Sequence, residues 1–285
     1  MENSKDLLWL NEKYPAKRAF ITGAGSGLGL AFASLLAHLG WQIGISDLNE
    51  DRIQAAAKQI VALGGKAAPY IFDVSNYEDF KVSIDAFVSL FGGIDLAINN
   101  AGVGCAGHID ELSIETFRRV IEVNLMGVAN GCHIFVPIMK QNQSGHILNI
   151  ASAAAFVSAP RMSAYNASKA AVVSLTETLR SELANEGILV SVLMPTYVRT
   201  NIGRDCLGTD EGRGQAIMMV NESQLNPDKV AHESFVRMRR APLYIVLPEE
   251  SRFLWRFKRL FPDLFWKFIL GEVKKKLARL ESELK

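Results

Sequence analysis

Tyr165 and Lys169 stand four residues apart in the run Tyr165-Asn166-Ala167-Ser168-Lys169. On a helix that spacing puts both side chains on one face, with β-carbons about 5 to 6 Å apart, so an ammonium can stabilise a phenolate. A phenol of reference pKa about 10 is a poor base at neutral pH, and a neighbouring cation that lowers the value makes proton transfer feasible. The same pair on a solvated helix would be an ordinary surface contact, so the surroundings decide. Ser152, thirteen residues before the tyrosine, supplies a hydroxyl where a substrate oxygen would lie, and Asn124 interrupts the apolar run Val120 to Val128.

A second constellation suits an anion. The residues Thr22-Gly23-Ala24-Gly25-Ser26-Gly27-Leu28-Gly29 follow a short apolar run and precede an amphipathic one. Glycines allow a tight turn and close backbone approach, while the free N–H groups and positive dipole of a following helix face a phosphate. Glycines alone would also make a plain turn; the strand before and the helix after favour a nucleotide. Asp47, 24 residues beyond Gly23, lies where a carboxylate can accept hydrogen bonds from both adenosine ribose hydroxyls, or else cap the next helix. It would repel a 2′-phosphate, and neither Ser26 nor Leu48 offers that phosphate a cation, so NAD is expected over NADP.

The TGxxxGxG spacing of Gly23, Gly27 and Gly29, with Asn99-Asn100-Ala101-Gly102 and the Tyr165/Lys169 pair, resembles the short-chain dehydrogenase/reductase family over about 16 to 246. The set Asn124, Ser152, Tyr165 and Lys169 is similar to the catalytic tetrad of that family. The resemblance implies hydride transfer between nicotinamide C4 and a carbinol or carbonyl carbon. Tyr165 would exchange the substrate proton, Ser152 would hydrogen-bond the substrate oxygen, Lys169 would hold the nicotinamide ribose and depress the tyrosine pKa, and Asn124 would position a relay water. It further implies adenine contacts at Asp73 and Val74, adenosine ribose contacts near Asn100 and Gly102, and carboxamide and pyrophosphate contacts at Val198 and Thr200. Where the family usually has Pro-Gly, this chain has Pro195-Thr196.

These residues must be positioned by a regular frame. Seven β-rich runs are expected: 19–22, 42–46, 67–72, 94–99, 146–150, 188–193 and 243–246. Between them lie amphipathic stretches at 28–39, 50–63, 78–91, 114–140 and 163–186, long enough to cross over a sheet. This alternation implies an α/β fold, a Rossmann-like doubly wound parallel sheet of about seven strands. One catalytic domain is expected at 16–247 after a short extension at 1–15. A lid is expected at about 200–225, beyond a strand end where such folds bind ligands.

The 285 residues carry 31 Lys/Arg against 30 Asp/Glu, and that balance argues against a dedicated nucleic-acid binder. Three cysteines without a CxxC pair imply reduced thiols and a cytoplasmic setting. The N-terminus does not resemble a signal peptide, and no uninterrupted apolar run reaches about 18 residues. The five histidines show no metal-ligand spacing. His108 could touch substrate, with a surface or capping role the simpler reading.

The tail is different. From Ser251 to Lys285 it holds ten Lys/Arg and four Asp/Glu, about +6 against about −5 for the rest. Seven aromatics between 253 and 268 interleave with the basic residues, and Pro262 should split the segment into two helices. It can pack on the domain or a second subunit, roof an apolar cleft, or lie in a membrane surface through 251–276. The expectation is an NAD-preferring alcohol dehydrogenase/ketoreductase acting on an apolar secondary alcohol or ketone. It would form a dimer or tetramer through the helices at 114–140 and 163–186. The rivals are an NADPH-dependent ketoacyl-thioester reductase, a non-catalytic nucleotide sensor, and a membrane-surface scaffold.

Overall fold

The computed structural model describes residues 2–271; the last part of the expected tail lies outside them. Seven parallel strands form one sheet: β1 (Arg18–Thr22), β2 (Gln42–Asp47), β3 (Lys66–Ile71), β4 (Leu96–Asn99), β6 (Gly145–Ile150), β7 (Ile188–Pro195) and β9 (Tyr244–Leu247). Their order, β3-β2-β1-β4-β6-β7-β9, reverses between β1 and β4. Loops leaving these two neighbours diverge to opposite sides, which opens a crevice at the carboxyl edge. The register places Thr22 beside Ser46, Asn99 beside Asn149, and Ile150 beside Leu193, so the functional loops start at a common level.

Helices cover both faces because the central strands are apolar on both sides. On one face lie α1 (Leu8–Lys13), α2 (Gly27–His38), α3 (Glu50–Ala62) and α10 (Pro227–Met238), around a core including Phe32, Trp41 and Phe235. The extension expected at 1–15 is thus part of the domain: Leu7, Leu10 and Tyr14 are buried. On the other face lie α4 (Tyr77–Phe91), α5 (Ile114–Ile121), α6 (Gly127–Gln141) and α8 (Ser163–Glu182). There Phe20 meets Phe87 edge to face at 5.5 Å, with Phe80 and Phe135 alongside.

Helices α5 and α6 are one rod, Ile114–Gln141, joined by a π turn at Glu122–Met126. The rod is long and apolar enough to cross a membrane, yet Val128, Cys132, Phe135 and Met139 are buried in the domain core, where they cover the sheet. After β7 the chain expected as a lid is ordered by long-range pairing. A short strand, β8 (Leu207–Gly208), pairs in parallel with β5 (Cys105–Ala106), and α9 (Asp210–Asn221) follows. The tail begins with α11 (Ser251–Leu260); after a break at Phe261 it is helical again over 262–271, divided where Pro262 was expected to divide it.

Candidate active site

The glycine turn sits at the reversal point. Gly23 and Gly27 have φ of +63° and +56°, a region that other residues enter at a cost. A Cβ on Gly23 would lie 2.8 Å from Ala101 Cα, and one on Gly29 would lie 2.4 Å from the Gly23 carbonyl oxygen. The Asn100 side-chain amide donates to the carbonyls of Thr22 and Gly23, while the Thr22 hydroxyl accepts from the amides of Asn100 and Ala101. Asn100 therefore braces the cradle from behind. Ser26 starts α2 without capping it through its side chain, leaving the first-turn N–H groups directed at the cradle.

Asp47 ends β2 against this turn. One carboxylate oxygen accepts from the Gly25 amide at 3.1 Å, the other from Asn49 N at 3.0 Å. Asn49, not Asp47, caps α3, by accepting from the amide of Arg52. Arg52 stands beside Gly25 but is forked onto Asp205 at 2.8 and 3.3 Å. Further along, Asp73 accepts from Ser75 and pairs with Arg119 at 2.5 Å. Burial pushes its carboxyl up, but the bonds from Ser75 and Arg119 together outweigh burial and hold it below the usual range. Val74 is buried, with its side chain beside Gly127 of α6.

At the other end of the crevice the four candidate catalytic residues converge. Asn124 lies in the π turn, where a widened helical turn allows its side chain to serve the loop after β4. Its oxygen accepts from Val103 N at 2.8 Å, and its amide donates to Val103 O and to the Ser168 hydroxyl. A Cβ on Gly102 would be 3.0 Å from the Asn124 side-chain oxygen and 3.4 Å from Lys169 Nζ. Gly102 thus belongs to the proton-transfer end as well as to the nucleotide loop. Ser152 follows β6; its hydroxyl donates to Pro195 O at 3.4 Å and lies close enough to the Tyr165 phenol to favour its ionised form.

Tyr165 and Lys169 share one face of α8, with Nζ 5.7 Å from the ring centroid and donating to Ile150 O at 2.9 Å. The pull of lysine on the tyrosine pKa is set against burial, which dominates both groups. Burial pushes the phenol up to about 12, only partly opposed by Ser152, and burial pushes the ammonium down to about 8. A cation at this separation still favours a phenolate, but it is directed at a carbonyl in a site that penalises both charges. The phenol is therefore a stored proton.

At the base of the lid, the Thr200 side chain is 3.0 Å from where a Cβ on Gly27 would sit, and Val198 is buried in the core. A cavity of about 460 Å³ opens between α2 and this base, lined by Gly27, Thr200, Arg199 and Arg204 among others. Two site residues had not been anticipated. Tyr197, directly after Pro195-Thr196, directs its hydroxyl to the Met162 sulfur, and its charge when ionised would oppose ionisation of Tyr165. Cys206 packs on Gly104, also close to Tyr165, and burial pushes its thiol up to about 11. Both are brought in by β7 and the β5–β8 pairing, far from Tyr165 in sequence. An apolar patch around the tyrosine includes Val103, Cys105, Ala154, Met162 and Leu207. In the lid region Val220 is buried while Met218 is exposed. His108 is away from this patch in a turn, with its amide bonded to Glu111. No cluster suited to a metal occurs among the described residues.

Comparison with known proteins agrees with this geometry. A probable oxidoreductase, EphD, of Mycobacterium bovis is 37% identical over 255 residues; the match covers 85% of this chain and 43% of that protein, so the chain spans less than half its length. Cyclohexanol dehydrogenase of an Acinetobacter species is 41% identical over 192 residues, covering 67% of this chain and 76% of that enzyme. A short-chain dehydrogenase/reductase from Burkholderia phymatum, solved in complex with NAD, superimposes with a TM-score of 0.82 at 35% identity over 87% of this chain and 94% of its own. The sequence profile of short chain dehydrogenases matches residues 17–209, the stretch that carries the glycine cradle and all four convergent residues. The chain belongs to the short-chain dehydrogenase/reductase family of oxidoreductases.

Proposed function

We propose that the protein interconverts an apolar secondary alcohol and its ketone, using NAD(H) in preference to NADP(H). The observation that carries this reading is the placement of Ser152, Tyr165 and Lys169 at the same sheet edge as a glycine cradle flanked by Asp47. Gly23, Gly27 and the uncapped start of α2 would hold a pyrophosphate, and Asp47 would hold the adenosine ribose while disfavouring a 2′-phosphate. Lys169 would meet the nicotinamide ribose. Bound there, the dinucleotide supplies hydride exchange at its nicotinamide ring.

The chain's own residues handle the proton. The Ser152 hydroxyl, on the same side of the site as the phenol, is placed to donate to the substrate oxygen as charge develops on it. Tyr165 delivers its proton to that oxygen in reduction and recovers it in oxidation. Its high pKa suits the acid role, and the Lys169 charge eases the reverse step. Asn124 fixes Val103 and Ser168, so the loop after β4 and the helix bearing Tyr165 keep a constant separation. The apolar patch around Tyr165 favours a hydrocarbon substituent, a preference in keeping with a relative that is a cyclohexanol dehydrogenase.

The test is titration with NADH and NADPH by nicotinamide fluorescence, followed by an NAD-coupled screen of cyclic and linear secondary alcohols. Tyr165→Phe should bind NADH as the parent does and lose at least about a hundredfold in turnover. A fully active phenylalanine variant would overturn the mechanism, and tighter NADPH binding would overturn the cofactor assignment in favour of reductive chemistry on ketones or thioesters.

A further inference from the structure

The segment after β9 has two unlike sides. Its inner side is docked: the Arg259 guanidinium lies 5.1 Å from the Tyr244 ring and 4.9 Å from Trp255, with Glu177 3.7 Å away. Lys258 donates to Phe156 O at 2.8 Å and stacks on Trp266, while Phe265 is fully buried. Among the described residues nothing covers the outer side. Phe253 and Leu260, seven residues apart and so on one stripe of α11, are 71% and 70% exposed, and Phe261, Leu264, Trp266, Phe268 and Leu270 continue the surface. Among the described residues, seven of the nineteen large apolar side chains that are exposed fall between 253 and 270. Isolated exposed hydrophobes need no explanation; a concentration of this kind marks a contact surface.

We propose that this face seats the protein on an anionic lipid bilayer. Charge selects that occupant. Between 251 and 271 there are five Lys/Arg and one acid, Asp263, and the sequence continues into Lys274-Lys275-Lys276. Arg256 and Lys267 are exposed next to the apolar stripe. A two-fold interface between copies would lay this cationic ridge against itself, whereas acidic headgroups answer it and the acyl boundary takes the aromatics. Because the inner side is already ordered against the domain, the face is pre-shaped and needs no folding on contact.

The position adds a consequence that rests on the reading under Proposed function. The Lys258 contact joins α11 to α7 (Ala154–Val157), whose start is hydrogen-bonded to Ser152. A bilayer held against α11 therefore lies on the substrate side of the molecule, where an apolar carbinol dissolved in lipid could be collected.

The test is flotation of the full chain with vesicles of phosphatidylcholine alone and with phosphatidylglycerol added, at low and high salt. Binding should require the anionic lipid, weaken with salt, and fall at least about tenfold in Phe253→Ser/Leu260→Ser and in Arg256→Glu/Lys267→Glu. Both variants should bind NADH as the parent does. Should a variant fail to fold, quenching of parent tryptophan fluorescence by bromine-labelled lipid decides the matter. Absence of binding, binding that survives both double variants, no quenching, or self-association abolished by these variants without lipid binding would each overturn the proposal. Failure of the vesicle test with a positive alcohol screen removes the membrane contact alone; the reverse result removes only the enzymatic reading.

Discussion

Replacing Asp47 with alanine isolates the basis of cofactor choice. The carboxylate accepts from Gly25 and Asn49 at 3.1 and 3.0 Å and keeps its oxygens at the open side of the cradle. A hydrogen bond to a charged group contributes about 1.5 to 3 kcal/mol, and Asp47 is only half-buried, so loss of the ribose contacts should weaken NADH by about ten- to a hundredfold. For a 2′-phosphate the sign reverses. A unit charge about 4 Å from the carboxylate is opposed by about 4 kcal/mol at an effective dielectric of about 20, less where salt penetrates. Asp47→Ala should therefore tighten NADPH as it weakens NADH, and the ratio of dissociation constants should fall from about a hundred or more to within about tenfold. The assay is paired fluorescence titration at one ionic strength, with a thermal melt to show that the turn survives losing an acceptor for Gly25. An unchanged NADH affinity, or equal weakening of both cofactors, would refute the argument.

Asp205→Ala should release Arg52 next to Asp47, strengthening NADPH binding several-fold. It should leave the melting profile nearly unchanged, because this exposed ion pair stabilises by at most about 1 kcal/mol. Unaltered NADPH affinity would show that Arg52 cannot reach the phosphate. Gly29→Ala places a methyl 2.4 Å from Gly23 O and 2.6 Å from the Asn100 amide. Overpacking of about 1 to 3 kcal/mol and loss of nucleotide binding are expected, and a variant that melts and binds like the parent would contradict the cradle geometry. His146, fully buried with Nε2 on the Ser191 hydroxyl, is pushed down to about 3 by burial, with Lys13 and Arg180 adding to the effect. The unfolded chain takes up this proton near pH 6.5 and the folded one only near 3. Stability should therefore fall as pH drops through that window, by about 1.4 kcal/mol per unit. Denaturant melts of His146→Gln should show a shallower slope with pH; a parallel slope would exclude this imidazole as the cause.

The seven strands could be read from the sequence to within two residues because each is a short run bounded by turn residues, and in all but the edge strand β3 burial on both faces leaves little ambiguity. The tetrad was legible for a related reason: Tyr165 and Lys169 carry their geometry in a helical spacing, and Ser152 follows a strand end. What required three dimensions was everything set by long-range pairing. Cys105-Ala106 and Leu207-Gly208 are too short for any periodicity, so the ladder that brings Cys206 to Tyr165 had no local signal. Tyr197 could have been suspected, since it stands in the segment that departs from the Pro-Gly pattern. The net electrostatics were not legible, because spacing gives the distance from ammonium to phenol but not the burial they share. Helix α10 carries a start signal in Asn226-Pro227, a cap followed by a proline suited to a first helical turn, whereas the buried Leu7, Leu10 and Tyr14 have no comparable local mark.

The β5–β8 ladder has a consequence for motion. Leu207 N bonds to Gly104 O and Thr209 N to Ala106 O, Gly107 N reaches Arg161 O, and Arg161 pairs with Glu211. Three stretches distant in sequence are thereby laced into a single plate over Tyr165. Such a plate does not fray residue by residue; it lifts as a unit or stays shut. The amides of Gly107, Leu207 and Thr209 should then exchange with deuterium at one common rate, and that rate would be an upper limit on how often the reaction chamber changes its contents.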